Sequence, residues 1–409
     1  MRSKIPRRGL KLPMLQLSDR FVVFRMVLMG LLVAGVASVA AQPQPAPLRV
    51  AVVGLVHGHV EGFLGALPQH QDVELVGIAD PDTALAAKYQ QRYGLPQGLF
   101  FTSEEAMIEA RHPQALLVYT SVGDHRKAIE IAARHGIDVM VEKPLTISLD
   151  DALAIRKVAR DHRIHVLVNY ETTWYASNRA AHDELEAGRL GAVRRVVIHD
   201  GHQGPAEIGV GPEFLSWLTD PAQNGAGALY DFGCYGADLM TWLMHGEARL
   251  TVTAVLNQDK PQTYPKVDDD ATVVLTYPRA QAVIQASWNW PFGRKDMEVY
   301  GATGYAITVG ADKLRLRHEH DNEEQLTTAA PLAPVERDSL SYLAAVVRGE
   351  IVPYGDAEPD SVVARKIEVA GPKGGLGALE TNVVVTQILD AARESARTGK
   401  TVLLGKLEE

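Results

Sequence analysis

Between residues 48 and 168 short apolar runs alternate with helical patterns, and this alternation constrains the fold more tightly than anything else in the 409-residue chain. The runs cover 48–53, 73–79, 115–119, 137–141 and 164–168, with Val, Leu and Ile dominant. A strand that is apolar along its whole length must be covered on both faces, the condition of a parallel sheet with helices above and below. The helices between carry their own end signals. Ser148 with Asp151 makes a capping box before 152–161. Asp124 can cap 125–134 with Gly136 following it, and Gly94 closes a helix beginning near Asp82. The expected fold of 48–168 is an α/β Rossmann-type doubly wound parallel sheet that binds ligands at the carboxyl ends of its strands.

The segment ahead of this block is different. Residues 1–25 hold seven basic side chains and one acid, Asp19, and 26–41 is an apolar run with small residues at its exit. Basic start, apolar middle and small-residue end read as a secretory signal, so 1–41 is expected to be removed and the protein to be periplasmic or secreted. The run is short of the ~20 residues of a helical span. An uncleaved anchor is the competing reading, and no stable membrane span is expected after processing. Arg7-Arg8 allows twin-arginine export in place of the general route. The net charge of −9 becomes more negative without this segment, which argues against nucleic acid as a partner. A single cysteine, Cys234, excludes an intrachain disulfide framework.

The first strand-to-helix turn reads Gly54-Leu-Val-His-Gly-His-Val-Glu-Gly62. The dinucleotide fingerprint G-x-G-x-x-G is incomplete, because Val56 and His59 stand where its second and third glycines belong. Gly54 can still make the tight turn and Gly58 a close approach, with Val56 and His57 beside a diphosphate at the helix N-terminus. Asp80 ends the second strand, where an acid hydrogen-bonds an adenosine ribose. A carboxylate there repels a 2′-phosphate, which favours NAD and leaves NADP as the alternative. His57, His59 and His70 invite a metal, but no carboxylate or cysteine completes a ligand set, so none is expected. Glu142-Lys143-Pro144 closes a strand at the functional edge of the sheet, where a lysine can stabilise alkoxide character at a reacting carbon.

Thr120-Ser-Val-Gly-Asp-His125, Ala128, Ala132-Ala133, Gly136-Ile-Asp-Val139 and Glu142-Lys-Pro144 together resemble the T-P-x-x-x-H…A…A…G-x-x-V…E-K-P block of the Gfo/Idh/MocA oxidoreductases. Gly188-Arg-Leu-Gly191 resembles that family's entry into its second sheet, and 379–402 its last helix and strand. Two departures stand out: Ser121 replaces the usual proline, and the glycine fingerprint is degenerate. The resemblance implies an NAD(P)-dependent oxidoreductase with Thr120, His125, Glu142 and Lys143 at the cofactor.

From 169 to 409 the pattern changes to one helix, near 177–187, followed by alternating runs at 193–200, 251–257, 271–277, 282–290, 297–300 and 306–309. Such a series means an α+β domain with a mostly antiparallel sheet. In the family this sheet is open-faced and packs against a second subunit, which implies a homodimer or homotetramer. Gly225-Ala-Gly-Ala-Leu-Tyr-Asp231-Phe-Gly-Cys-Tyr235 resembles the family's D-x-G-x-H motif with tyrosine in the histidine position, as in the glucose–fructose oxidoreductase branch. Lys143, Asp231 and Tyr235 are therefore the expected catalytic set, with a Lys143 ammonium lowering the Tyr235 pKa so that its phenolate takes the hydroxyl proton. Tyr170, Trp174, His202 and Asp231 are expected to line a sugar or polyol pocket, together with His199 and Gln203. Asp268-Asp-Asp270 reads as a solvated turn, and Trp288 and Trp290 as a pair on one sheet face. Hydride transfer at a sugar carbon, with a retained and recycled cofactor, is the expected activity. The alternatives are redox-assisted glycoside cleavage, with His202 or Tyr170 as its extra base, and a non-catalytic dinucleotide- or sugar-binding protein.

Overall fold

The computed structural model describes residues 46–247, 250–353 and 375–407, and the expected export signal at 1–41 lies outside them. Six parallel strands, β1 (Leu48–Val53), β2 (Val73–Ala79), β3 (Phe100–Phe101), β4 (Ala115–Val118), β5 (Asp138–Glu142) and β6 (Val166–Asn169), form a sheet in the order β3-β2-β1-β4-β5-β6. The order reverses between β1 and β4, whose carboxyl ends open the ligand crevice of such folds. The crossovers are α1 (Val60–Ala66), α2 (Thr83–Tyr93), α3 (Glu104–Arg111), α4 (His125–Arg134) and α5 (Leu149–His162). Ser148 Oγ accepts the Asp151 amide at 3.2 Å, and Gly94 ends α2 with φ 62°. Asp124 does not cap α4, because its carboxylate accepts the Ser121 hydroxyl at 2.9 Å instead.

The second sheet contains β7 (Val193–Gly201), β8 (Thr251–Asn257), β9 (Asp270–Thr276), β10 (Gln281–Ser287), β11 (Arg294–Gly301), β12 (Gly304–Val309), β13 (Lys313–His318), β14 (Gln325–Thr328) and β15 (Val402–Leu403). Their order is β14-β13-β12-β11-β7-β10-β9-β8-β15, antiparallel throughout except for β7 beside β10. Helices α6 (Ala176–Glu186), α7 (Pro212–Leu218), α8 (Pro221–Asn224), α9 (Ala228–Asp231), α10 (Gly233–Leu243), α11 (Ser339–Val347) and α12 (Leu379–Thr398) complete the described elements. Val252, Ala254, Val273, Leu275, Ala282 and Ile284 are buried on the face that α10 and α12 cover. Thr253 and Val255 on the alternate face are exposed. Helix α12 also packs on α5, and its Asp390 accepts the Leu149 amide at 2.7 Å, which ties the two halves together behind the crevice.

Two sequence expectations are corrected here. The 268–270 stretch is no solvated turn: Asp269 is buried, and the Asp268 carboxylate accepts the amides of Gly227 and Leu229, both at 2.8 Å, which sets the path of α9. Trp288 and Trp290 do not share a face, because β10 ends at Ser287 and Trp288 turns into the core.

His182 on α6 is buried with its ring stacked on Trp242 at 4.1 Å, and burial pushes its pKa down to about 4. A depressed histidine stays neutral in the fold while the unfolded chain takes up a proton below about pH 6.5, so its contribution to stability is lost as pH falls from there toward 4. We expect a loss of about 2 kcal/mol from this residue between pH 7 and 5. Chemical denaturation of His182→Phe, which keeps the ring stack, should show a correspondingly shallower acid limb.

Candidate active site

The end of β5 and the junction of α9 and α10 meet across the crevice. Lys143 Nζ donates to the Asp231 backbone carbonyl at 2.9 Å and to its carboxylate Oδ1, while the other oxygen, Oδ2, accepts Trp288 Nε1–H at 2.9 Å. Both partners are buried. Burial alone would neutralise Lys143, but the Asp231 charge outweighs it and holds the amine above its ordinary pKa. Burial would likewise raise Asp231, yet Lys143, aided by His202 and Trp288, keeps its carboxyl below the usual range. The pair is thus ionised, and Lys143 enters the cleft as an ammonium. The Lys143–Pro144 peptide is cis.

Phe232 separates α9 from α10, and Asp231 and Tyr235 still face the same cleft. Tyr235 is buried, with the Lys143 ammonium 5.2 Å and the Lys295 ammonium 4.7 Å from its ring centre. The cations lie over the ring, and burial dominates, so the phenol is driven well above its ordinary pKa rather than below it. This corrects the expected phenolate: Tyr235 is a hydrogen-bond donor near neutral pH. Lys295 is in turn paired with Glu171.

The cleft has a volume of about 540 Å³, and its lining includes Gly58, His59, Lys143, His202, Asp231 and Tyr235. His202 accepts the Gly204 amide on Nδ1 at 2.9 Å, which leaves Nε2–H to face outward. Tyr170 is not in the lining. It is fully buried, donates its hydroxyl to Asn382 at 2.8 Å and meets the Tyr235 ring edge-on at 5.4 Å. Trp174 is also outside the cleft, bound through Nε1 to Asn169 at 3.0 Å. His199 pairs with Asp296 across strands and Gln203 gives its carbonyl to Lys260, so of the three residues 199, 202 and 203 only His202 reaches the cleft. Cys234 is buried with its thiol against the Asp231 carbonyl at 3.4 Å, and burial pushes its pKa upward. Lys295 and Glu171 had no sequence signal, since each comes from a segment with no motif of its own, and Trp288, expected on a sheet face, instead reaches Asp231.

Several features of the first turn fit a dinucleotide. Gly54 has φ 84°, and a Cβ there would lie 2.8 Å from the Thr120 amide nitrogen, so only glycine makes this turn. His125 donates Nδ1–H to Leu145 O at 3.1 Å and leaves Nε2 buried without a partner, as a ligand-facing atom would be. Gly54, Val56, Gly58, Thr120 and His125 are the residues that would hold the cofactor, which supplies a hydride acceptor or donor. Asp80 departs from expectation in part. It is buried, and its two oxygens accept the amides of Leu55 at 2.7 Å and Asp82 at 2.8 Å, so it braces the turn as well as offering an acid to a ribose. His57 is not free for phosphate: it is buried between Phe214 and Trp217, with ring centres 4.8 and 5.3 Å away. The structure also brings Glu142 to the histidines, with ligand-type atoms of His57, His59 and Glu142 all within 4.8 Å. The carboxylate missing from the sequence neighbourhood therefore comes from 83 residues away.

Residues 48–170 match the family described as "Oxidoreductase family, NAD-binding Rossmann fold", and 178–307 match its "GFO/IDH/MocA C-terminal domain". The chain belongs to the Gfo/Idh/MocA oxidoreductase family. Among its relatives are a dTDP-3,4-didehydro-2,6-dideoxy-alpha-D-glucose 3-reductase of Streptomyces antibioticus, 28% identical over 47% of this chain and 55% of that protein, and a D-apiose dehydrogenase of Paraburkholderia graminis, 23% identical over 82% and 84%. The chain thus spans little more than half the length of the first of these. A solved aldose-aldose oxidoreductase from Caulobacter crescentus shares the fold with a TM-score of 0.70 at 21% identity, over 88% of this chain and 100% of that one.

Breaking the buried pair from one side strands a charge. Asp231→Asn should cost about 3–5 kcal/mol of stability by leaving the Lys143 ammonium uncompensated. Trp288→Phe, which removes one hydrogen bond to a charged group, should cost about 1.5–3 kcal/mol. Denaturant titration measures both, and the order of the two effects is the expectation.

Proposed function

We propose that the protein is an exported NAD(P)-dependent oxidoreductase that moves hydride between nicotinamide and a carbon of a sugar or polyol. It works as a homodimer or homotetramer through the open sheet face and keeps its cofactor, recycling it between two substrates. The observation that carries this reading is the ionised Lys143–Asp231 pair in the wall of a cleft that also holds the first turn of the Rossmann sheet. Lys143 spends two of its N–H bonds on Asp231 and turns the third toward substrate oxygen, where it stabilises negative charge as the carbon is oxidised. Asp231 acts by holding that ammonium in place. The Tyr235 hydroxyl and the His202 Nε2–H add two further donors to the lining of the same cleft. The names of the three relatives given above, each an oxidoreductase of a sugar, support the substrate class. Asp80 favours NAD. Retention of the cofactor is supported by the export expected from residues 1–41, since free dinucleotide is scarce outside the cytoplasm, and by the Caulobacter neighbour's name, aldose-aldose oxidoreductase.

Heating the purified protein should release nicotinamide dinucleotide at about one molecule per chain, read by mass spectrometry. An empty supernatant overturns retention and recycling. In a panel of sugars and polyols followed by NADH absorbance, Lys143→Met should lower kcat by about 10²–10³. Unchanged turnover would return the protein to a binding role.

A further inference from the structure

Oxidising an alcohol releases a proton, and none of the groups that flank Lys143 can take it near neutral pH. Lys143 is already an ammonium, both Asp231 oxygens are committed, Tyr235 is held as the phenol, and His202 presents N–H. The same cleft offers a different arrangement at His59. His59 Nδ1 lies 2.9 Å from Glu142 Oε2, and Glu142 Oε1 accepts Asn169 Nδ2–H at 2.8 Å. Asn169 is fixed in turn by Trp174 Nε1–H at 3.0 Å. Glu142 is only 3% exposed. Its burial works against ionisation, but the hydrogen bonds from the His59 ring and the Asn169 amide, with the Lys143 charge, outweigh it and keep the carboxyl below its ordinary pKa. A carboxylate only accepts, so Nδ1 must carry the imidazole proton and Nε2 keeps its lone pair. The His59 side chain is 46% exposed and lines the same cleft as Lys143, Asp231 and Tyr235.

We propose that His59 is the general base of the oxidation, with Glu142 and Asn169 as the residues that position it. This rests on the oxidoreductase reading above. The substrate C–H passes its hydride, two electrons, to the nicotinamide. The O–H bond breaks, its proton goes to His59 Nε2, and its electron pair closes the C=O. The imidazolium is stabilised by Glu142 and gives the proton to solvent, and in the reverse direction it donates. Lys143 stays charged throughout and holds the oxygen. His59 occupies the third-glycine position of the fingerprint, so the departure that weakens the phosphate motif is the one that supplies the base.

A cation on His57, His59 and Glu142 is the competing use of these atoms. His57 Nδ1 takes the His59 amide at 3.3 Å, its ring is enclosed by Phe214 and Trp217, and the cluster sits beside the Lys143 ammonium at the positive end of α1. Each of these disfavours a metal.

The experiment compares the full protein with His59→Gln and Glu142→Gln. Imidazole ¹⁵N NMR should show His59 protonated on Nδ1 and should lose that preference in Glu142→Gln; an Nε2–H tautomer in the unaltered protein overturns the proposal. In steady-state oxidation, kcat of the unaltered enzyme should fall toward acid as one group protonates. The groups facing His59 are Glu142 and Lys143 from the end of β5, His57 from its own turn and, further off, Glu171 after β6. His59→Gln should flatten that limb, lower kcat by about 10²–10⁴ and leave cofactor affinity within about twofold, with partial rescue by added imidazole. An unchanged pH profile, a loss confined to cofactor affinity, or activity removed by a chelator and restored by zinc each overturns it. If no sugar or polyol is oxidised at all, the activity reading fails, while the tautomer still decides the state of the His59–Glu142 pair.

Discussion

One buried ion pair, Lys143 with Asp231, organises the molecule. It joins the end of the fifth Rossmann strand to a helix junction 88 residues later, and both charges are withdrawn from water. Two such charges are tolerable because each is well partnered: the ammonium by a carbonyl and a carboxylate, the carboxylate by the ammonium and an indole N–H. Asp268, by accepting the amides at 227 and 229, places the backbone that carries Asp231, and α12 clamps the two halves from behind. The cleft is therefore framed by charge pairing at its wall and by apolar packing at its back.

Much of the architecture was legible in the chain. The parallel strands announced themselves because burial on both faces demands uninterrupted Val, Leu and Ile, and Gly94 and Ser148 marked helix ends through local chemistry that owes nothing to tertiary structure. The set Lys143, Asp231 and Tyr235 was legible too, but through a motif, since no periodicity brings residues 143 and 231 together. What escaped is what depends on distance through space. Strand β13 alternates charged residues with only two leucines, Leu314 and Leu316, and β14 has the single Leu326, so their apolar trace is too short to stand out. Trp288 looked like a sheet-face residue until the end of β10 at Ser287 turned it inward. The state of Tyr235 was misread for a related reason: a neighbouring cation was counted, while the larger cost of placing a phenolate in a desolvated site was not.

The incomplete glycine fingerprint illustrates how a departure from a motif can carry information. A histidine in place of the third glycine is a loss if the turn only cradles phosphate. With Glu142 83 residues away in sequence and 2.9 Å away in space, the same substitution places a polarised imidazole at the rim of the cleft. Glu142 thereby serves two elements at once, ending β5 and orienting a side chain from the β1–α1 turn.

Gly58 links the halves in a different way. The Phe214 ring of α7 lies where a Cβ at 58 would come within 3.0 Å, and Trp217 of the same helix donates its indole N–H to the Val56 carbonyl at 3.2 Å. A helix from the second half thus rests its Phe214 and Trp217 rings directly on the backbone of the first turn. Positions 58 and 214 consequently cannot drift independently during evolution. Any lineage that enlarges one must shrink or relocate the other, so these two sites, 156 residues apart in sequence, should vary as a coupled pair.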